Sequence, residues 1–131
     1  MAGMLLVLVL SFGVGQLPEP PPLTAEQRQK IGKLAADTQR EAARLKTQLE
    51  SRQRDLTRLY AQYELDEGEA KAIEGDILEL QRRMLANYRT MQTELRALVD
   101  KERFLILKKR LDRMLQSVEK PKDDKGSPTK R

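Results

Sequence analysis

From Thr24 onward the apolar positions follow a strict rhythm. Ile31, Ala35, Thr38, Ala42, Leu45, Leu49, Leu56, Leu59 and Tyr63 recur at alternating steps of three and four, with Arg52 filling the one vacant seam position. Leu34 and Tyr60 widen the stripe. This is the heptad period of a helix that buries a narrow seam. No proline interrupts residues 23–120. The rhythm breaks at Glu64-Leu-Asp-Glu-Gly-Glu69, where Asp66 and Glu69 have the D-x-x-E spacing of a helix start. A second seam then runs through Ala70, Ile73, Ile77, Leu80, Met84, Tyr88, Met91, Leu95 and Leu98.

Two such helices joined by a short turn fold back on each other. With Tyr63 opposite Ala70, the pairs Leu56–Ile77, Leu49–Met84, Leu45–Tyr88 and Ala42–Met91 follow. Arg52 then lies level with Leu80, its guanidinium reaching out toward Asp76 or Glu79. Gly75 costs the second helix about 1 kcal/mol against alanine and leaves room for close packing, which the sequence alone does not establish. Val99-Asp100 is a third start signal, followed by Phe104, Leu107, Leu111, Met114, Leu115 and Val118. That stretch is either a separate helix or a continuation of the second. Phe104-Leu-Ile-Leu107 is too wide an apolar run for a single seam.

The predicted fold class is therefore all-α: a long antiparallel helical hairpin plus a shorter third C-terminal helix, over residues 23–118. A first helix of about 40 residues spans about 60 Å at 1.5 Å per residue. A hairpin so thin has a marginal core, so a second copy is expected to cover it as a homodimer.

The flanks read differently. Residues 1–18 contain no charged side chain, with an apolar heart at Met4–Val14. That length suits the core of a signal peptide and is short of the roughly 20 residues of a membrane span. Residues 1–16 are assigned as a signal peptide or N-terminal anchor, and residues 17–22 as a stiff proline-rich spacer. The tail 119–131, made of Lys, Asp, Pro, Gly and Ser, is expected to be disordered.

Composition narrows the chemistry. The chain has 131 residues, 25 Lys+Arg against 20 Asp+Glu, and no cysteine or histidine. Disulfides, thiol nucleophiles and imidazole bases are excluded by that inventory. Ser11, Ser51, Ser117 and Ser127 have no base to activate them, and no glycine-rich phosphate loop appears, so no enzyme is expected. The net charge of +5 is spread without a block of like charges, which argues against a nucleic-acid partner. Zinc, nickel and cobalt favour imidazole or thiolate ligands, which are missing. Met84, Met91 and Met114 suit only soft copper(I), and Met84 and Met91 occupy seam positions that read as core. Asp66, Glu67 and Glu69 could hold calcium weakly but read as helix-start acids. No metal or cofactor is expected.

Thr24 and Gln27 have the spacing of a capping box, in which hydroxyl and amide side chains satisfy each other's backbone amides. The stretch Leu23-Thr24-x-x-Gln27-Arg28, with Ile31, follows an apolar leader and a proline spacer and opens a long charged hairpin. In this it resembles the Spy/CpxP family of periplasmic proteins, with the related periplasmic heavy-metal sensor and resistance proteins. The resemblance covers about residues 23–116. A second such motif corresponds to Val99-Asp-Lys-Glu-Arg103, where Asp100 can cap as threonine would but arginine stands in place of glutamine.

The resemblance implies an antiparallel helical dimer of cradle shape, periplasmic and ATP-independent, whose concave face binds unfolded or envelope protein clients. On this chain Arg40, Arg44 and Arg54 could attract acidic client segments. Leu34, Tyr60, Leu78, Leu85, Leu105 and Ile106, beside the seams, could hold apolar ones. Each of these also fits burial in a dimer interface or beneath the third helix. Two alternatives stand beside the chaperone: a periplasmic heavy-metal sensor or resistance protein, and a structural coiled-coil adaptor tethered to the inner membrane. Membrane contact is expected only through residues 1–18, where they are retained.

Overall fold

The computed structural model describes residues 22–119. The apolar leader, the spacer as far as Pro21 and the tail from Lys120 lie outside the described residues. Within them the protein is all-α, with helices α1 (Ala25–Tyr60), α2 (Glu67–Leu98) and α3 (Lys101–Glu119).

Each helix begins at a side-chain cap. At α1 the Gln27 amide donates to Thr24 Oγ1 at 3.0 Å, and the Thr24 amide donates to Gln27 Oε1 at 2.9 Å. Both halves of the capping box are present. The same glutamine does more: its Nε2 donates to the carbonyl of Leu98 at 3.0 Å, so one side chain starts α1 and fastens it to the end of α2. Arg28 adds a bond to the Leu23 carbonyl at 2.7 Å. Asp66 accepts the Glu69 amide and Asp100 accepts the Arg103 amide, each at 3.0 Å. Val99 is extended, so α3 is a separate helix and not a continuation of α2.

The first seam stops earlier than its rhythm. α1 ends at Tyr60, where the Ala61 amide is shared between the carbonyls of Thr57 and Arg58, and Gln62 bonds back to Leu59. Tyr63 is fully exposed, and Leu59 takes its place against Ala70 and Ile73, with Leu56 and Ile77 alongside. The hairpin register is thus displaced by about one helical turn of 5.4 Å from the predicted pairing. The opposite end is shifted in the same sense: the long Gln27 side chain reaches Leu98, which the predicted register sets level with Ala35. The physical reason is chain reversal. Residues 61–66 are needed to turn the backbone and present Asp66 as a cap, so the last heptad is spent on the loop.

α3 returns alongside the first half of α1. Leu34, Met91, Leu95, Leu111 and Leu115 form the main core, flanked by Ile31, Ala35, Ala42, Phe104, Leu107 and Met114. Leu45, Met91 and Leu95 are completely buried. Polar ties hold α3 down. Lys46 Nζ donates to the Val118 carbonyl at 2.7 Å, placing a cation at the negative end of the α3 dipole. Tyr88 and Lys108 both donate to Asp112, at 2.8 and 2.7 Å. Arg96 stacks on the Phe104 ring with 4.3 Å to the centroid.

Gly75 does not serve close packing. A β-carbon there, or at Gly32, would meet nothing within 4 Å. Gly75→Ala is therefore expected to raise stability by about 0.5–1 kcal/mol, read by urea unfolding followed by circular dichroism. A clash, seen as a loss of stability, would show that a neighbour fills that space. Gln27→Ala removes both the cap and the bond to Leu98, and should lower stability by about 1–2 kcal/mol. Gln27→Glu keeps an acceptor for Thr24 and loses only the donor, so it should fall between the two.

Candidate functional site

α1 has 36 residues and α2 has 32, whereas α3 has 19. At 1.5 Å per residue α3 is about 28 Å long against about 54 Å for α1. One end of the molecule is therefore a three-helix bundle and the other a bare two-helix arm. Where α3 runs out, the hairpin seam is left uncovered. Ala42, Leu49, Gln81, Met84, Leu85, Asn87, Tyr88 and Leu115 line a groove there of about 630 Å³. Leu49 and Met84 are half-buried in its floor, and Leu85 stands on its rim, 69% exposed. Asn87 donates across the hairpin to the Thr38 carbonyl at 3.1 Å. Tyr88 is set by its bond to Asp112; burial, and then that bond, push its phenol above the ordinary value.

The apolar surface continues along the arm. Leu78 is seven residues from Leu85, hence on the same face of α2, and is 66% exposed. Tyr60 is exposed with its hydroxyl donating to Glu74 at 2.8 Å, which raises its pKa. Leu78, Leu85 and Tyr60 are thus all exposed along the arm.

The other sequence candidates lie elsewhere. Leu34 is not a surface residue at all: it is buried in the main core, because α3 folds over that stretch of α1. Arg40 is engaged by Asp37 at 3.0 Å, and Arg44 by Glu41 at 3.0 and 2.6 Å. These pairs border a cleft of about 420 Å³ with Asn87, Thr90 and Glu94. Arg54 is exposed, with no partner among the described residues. Leu105 and Ile106 lie on α3, pointing outward. Arg52 reaches Asp76 at 3.3 Å as expected and also binds Asp55; with Leu80 and Glu79 it lines a charged cleft. Tyr88 and Leu115 were not singled out by sequence. Tyr88 occupies a seam position, and only the point at which α3 ends turns it into a groove wall.

The clear carboxylate shifts run one way. Where a carboxylate departs clearly from its ordinary pKa, at Asp37, Glu41 and Glu79, the shift is downward, first from hydrogen bonds to Lys33, Arg44 and Arg82 respectively. A general acid at neutral pH needs the opposite. Among the described residues no three His, Cys, Asp or Glu side chains gather as a metal site would require. No helix among them is long and apolar enough to cross a membrane. No protein-family model, curated protein or solved structure matches the chain.

The carboxylate shifts set a pH dependence. Glu79, between Arg82 and Arg83, is lowered from 4.5 to about 2. A lowered folded-state pKa gives stability that is present above the ordinary carboxylate value and is lost as pH falls toward the folded value. The melting temperature should therefore fall between about pH 5 and pH 2, and only gently, because these pairs are solvent-exposed. A melting temperature that rises across that range would contradict the assigned pairings.

Proposed function

We propose that the protein is an exported, non-enzymatic chaperone of the Spy/CpxP type that holds unfolded protein segments weakly in the groove beside Leu85. The supporting observation is the uncovered seam: α3 stops short, and Leu49, Met84, Leu85, Tyr88 and Leu115 line one open groove. A groove of about 630 Å³ is within the range of small-ligand sites, enough for a few apolar side chains. Contacts so few give fast release, which a holding protein without an ATP cycle requires. The net charge of +5 favours encounter with acidic chains. The Thr24–Gln27 box, complete at the start of α1, accounts physically for the motif that carries the family resemblance.

The test is suppression of aggregation of a chemically denatured client, followed by light scattering. The wild-type chain is expected to protect at near-stoichiometric ratio. Leu78→Asp with Leu85→Asp should abolish protection without lowering the melting temperature, since both side chains are exposed. Equal protection by both proteins, or none by either, would overturn the assignment. So would a wild-type dimer in sedimentation that the same pair of substitutions dissolves, because the groove would then belong to a second copy.

A further inference from the structure

The apolar run Phe104-Leu-Ile-Leu107 has a surplus that the core does not use. Phe104 and Leu107 pack against the main core. Leu105 and Ile106 are turned outward, 60% and 52% exposed. One turn further along α3, at helical neighbour spacing, stand Lys109 and Arg110, and a turn beyond them Arg113, all exposed. Lys101 is exposed in the first turn of the same helix.

These cations differ from most others in the molecule. Lys30, Lys33, Arg40, Arg44, Arg58, Arg82 and Arg83 are each held by a carboxylate three or four residues away. Lys101, Lys109, Arg110 and Arg113 have no such partner among the described residues. Before Glu119 the acids of α3 are Glu102 and Asp112, and Asp112 is engaged by Tyr88 and Lys108. Beyond Glu119 the sequence adds Lys120, Lys122, Lys125, Lys130 and Arg131 against Asp123 and Asp124.

We infer that the outer face of α3 is a docking surface for an anionic phospholipid bilayer, in addition to any contact made by residues 1–18. Leu105 and Ile106 would enter the headgroup boundary, and the cations around them would meet lipid phosphates, their aliphatic stems lying along the interface. The charge complementarity is direct: free cations around two apolar side chains match an acidic, oily surface. The shape is consistent. This face is the outer side of a single helix, and its residues line none of the clefts described above. An extended peptide needs a groove, whereas a bilayer yields around a helix. Each cation brought to an anionic surface strengthens binding by roughly fivefold.

The test is co-sedimentation of the full chain with vesicles of phosphatidylcholine alone, or with a quarter phosphatidylglycerol. The wild type is expected to bind the anionic vesicles at least tenfold more tightly, with loss at high salt. Leu105→Ser with Ile106→Ser should remove about tenfold of that binding, and separately Lys109→Glu with Arg113→Glu about 25-fold or more, each at unchanged helicity. Lys109→Gln with Arg113→Gln replaces the reversal if it lowers the melting temperature. Leu85→Asp, in the groove, should change vesicle binding little, which separates this surface from the client site. Undiminished binding by both pairs of variants would overturn the inference, since the leader or tail would then carry the contact. Retention by an acidic polypeptide but not by vesicles would also overturn it, and would assign the face to an acidic protein.

Discussion

A helix of 19 residues cannot cover a hairpin whose longer arm has 36, and most of the molecule's surface chemistry follows from that mismatch. Over the covered half, Leu34, Met91, Leu95, Leu111 and Leu115 close into a core with three walls. Over the other half, burial of one stripe per helix is all that the two-helix arm can reach, and the smaller cluster of Leu59, Ala70 and Ile73 holds it. Hydrophobic burial is the dominant favourable term in folding, so the two halves differ in the driving force behind them. The open groove lies where one regime gives way to the other.

Much of the architecture is legible in the residue pattern. The two seams, the reversal near Asp66 and the three capped starts all depend on local spacing, and the structure has them. Arg52 reaching Asp76 is legible for the same reason: it is a gap in a regular stripe. The register is legible only to within a turn. Heptads say which face is buried but not where the chain begins to turn, so the rhythm carried Tyr63 into a seam that Leu59 closes. Leu34 shows the other limit. Whether a residue beside a seam is surface or core depends on where a third helix lies, and that is a property of the assembled fold. Of the candidate site, the outward leucines at positions 78 and 85 could be found by their place off the seam. Tyr88 and Leu115 could not, since they matter only because α3 terminates between them and the arm.

The Thr-x-x-Gln motif has a physical explanation that does not depend on kinship. A capping box satisfies two amides at the start of α1, as such boxes do in many helices. Here the glutamine amide nitrogen is left over, and it is used on Leu98. The motif therefore fixes two chain segments 71 positions apart as well as one helix end. The corresponding corner at Asp100 has the cap but not the glutamine: there Asp100 accepts the Arg103 amide.

Such a side-chain latch at one end, with a thin arm at the other, makes the molecule uneven in how it opens. Local unfolding begins where few apolar contacts hold the backbone. The tip around residues 61–66 can fray, and the hairpin can unzip toward Leu80, while the bundle beneath Gln27 stays closed. Amide hydrogens along α1 should accordingly grow more protected from Tyr60 toward Leu45, a gradient along one continuous helix. Partial opening of that kind would transiently lengthen the oily trough without loss of the fold.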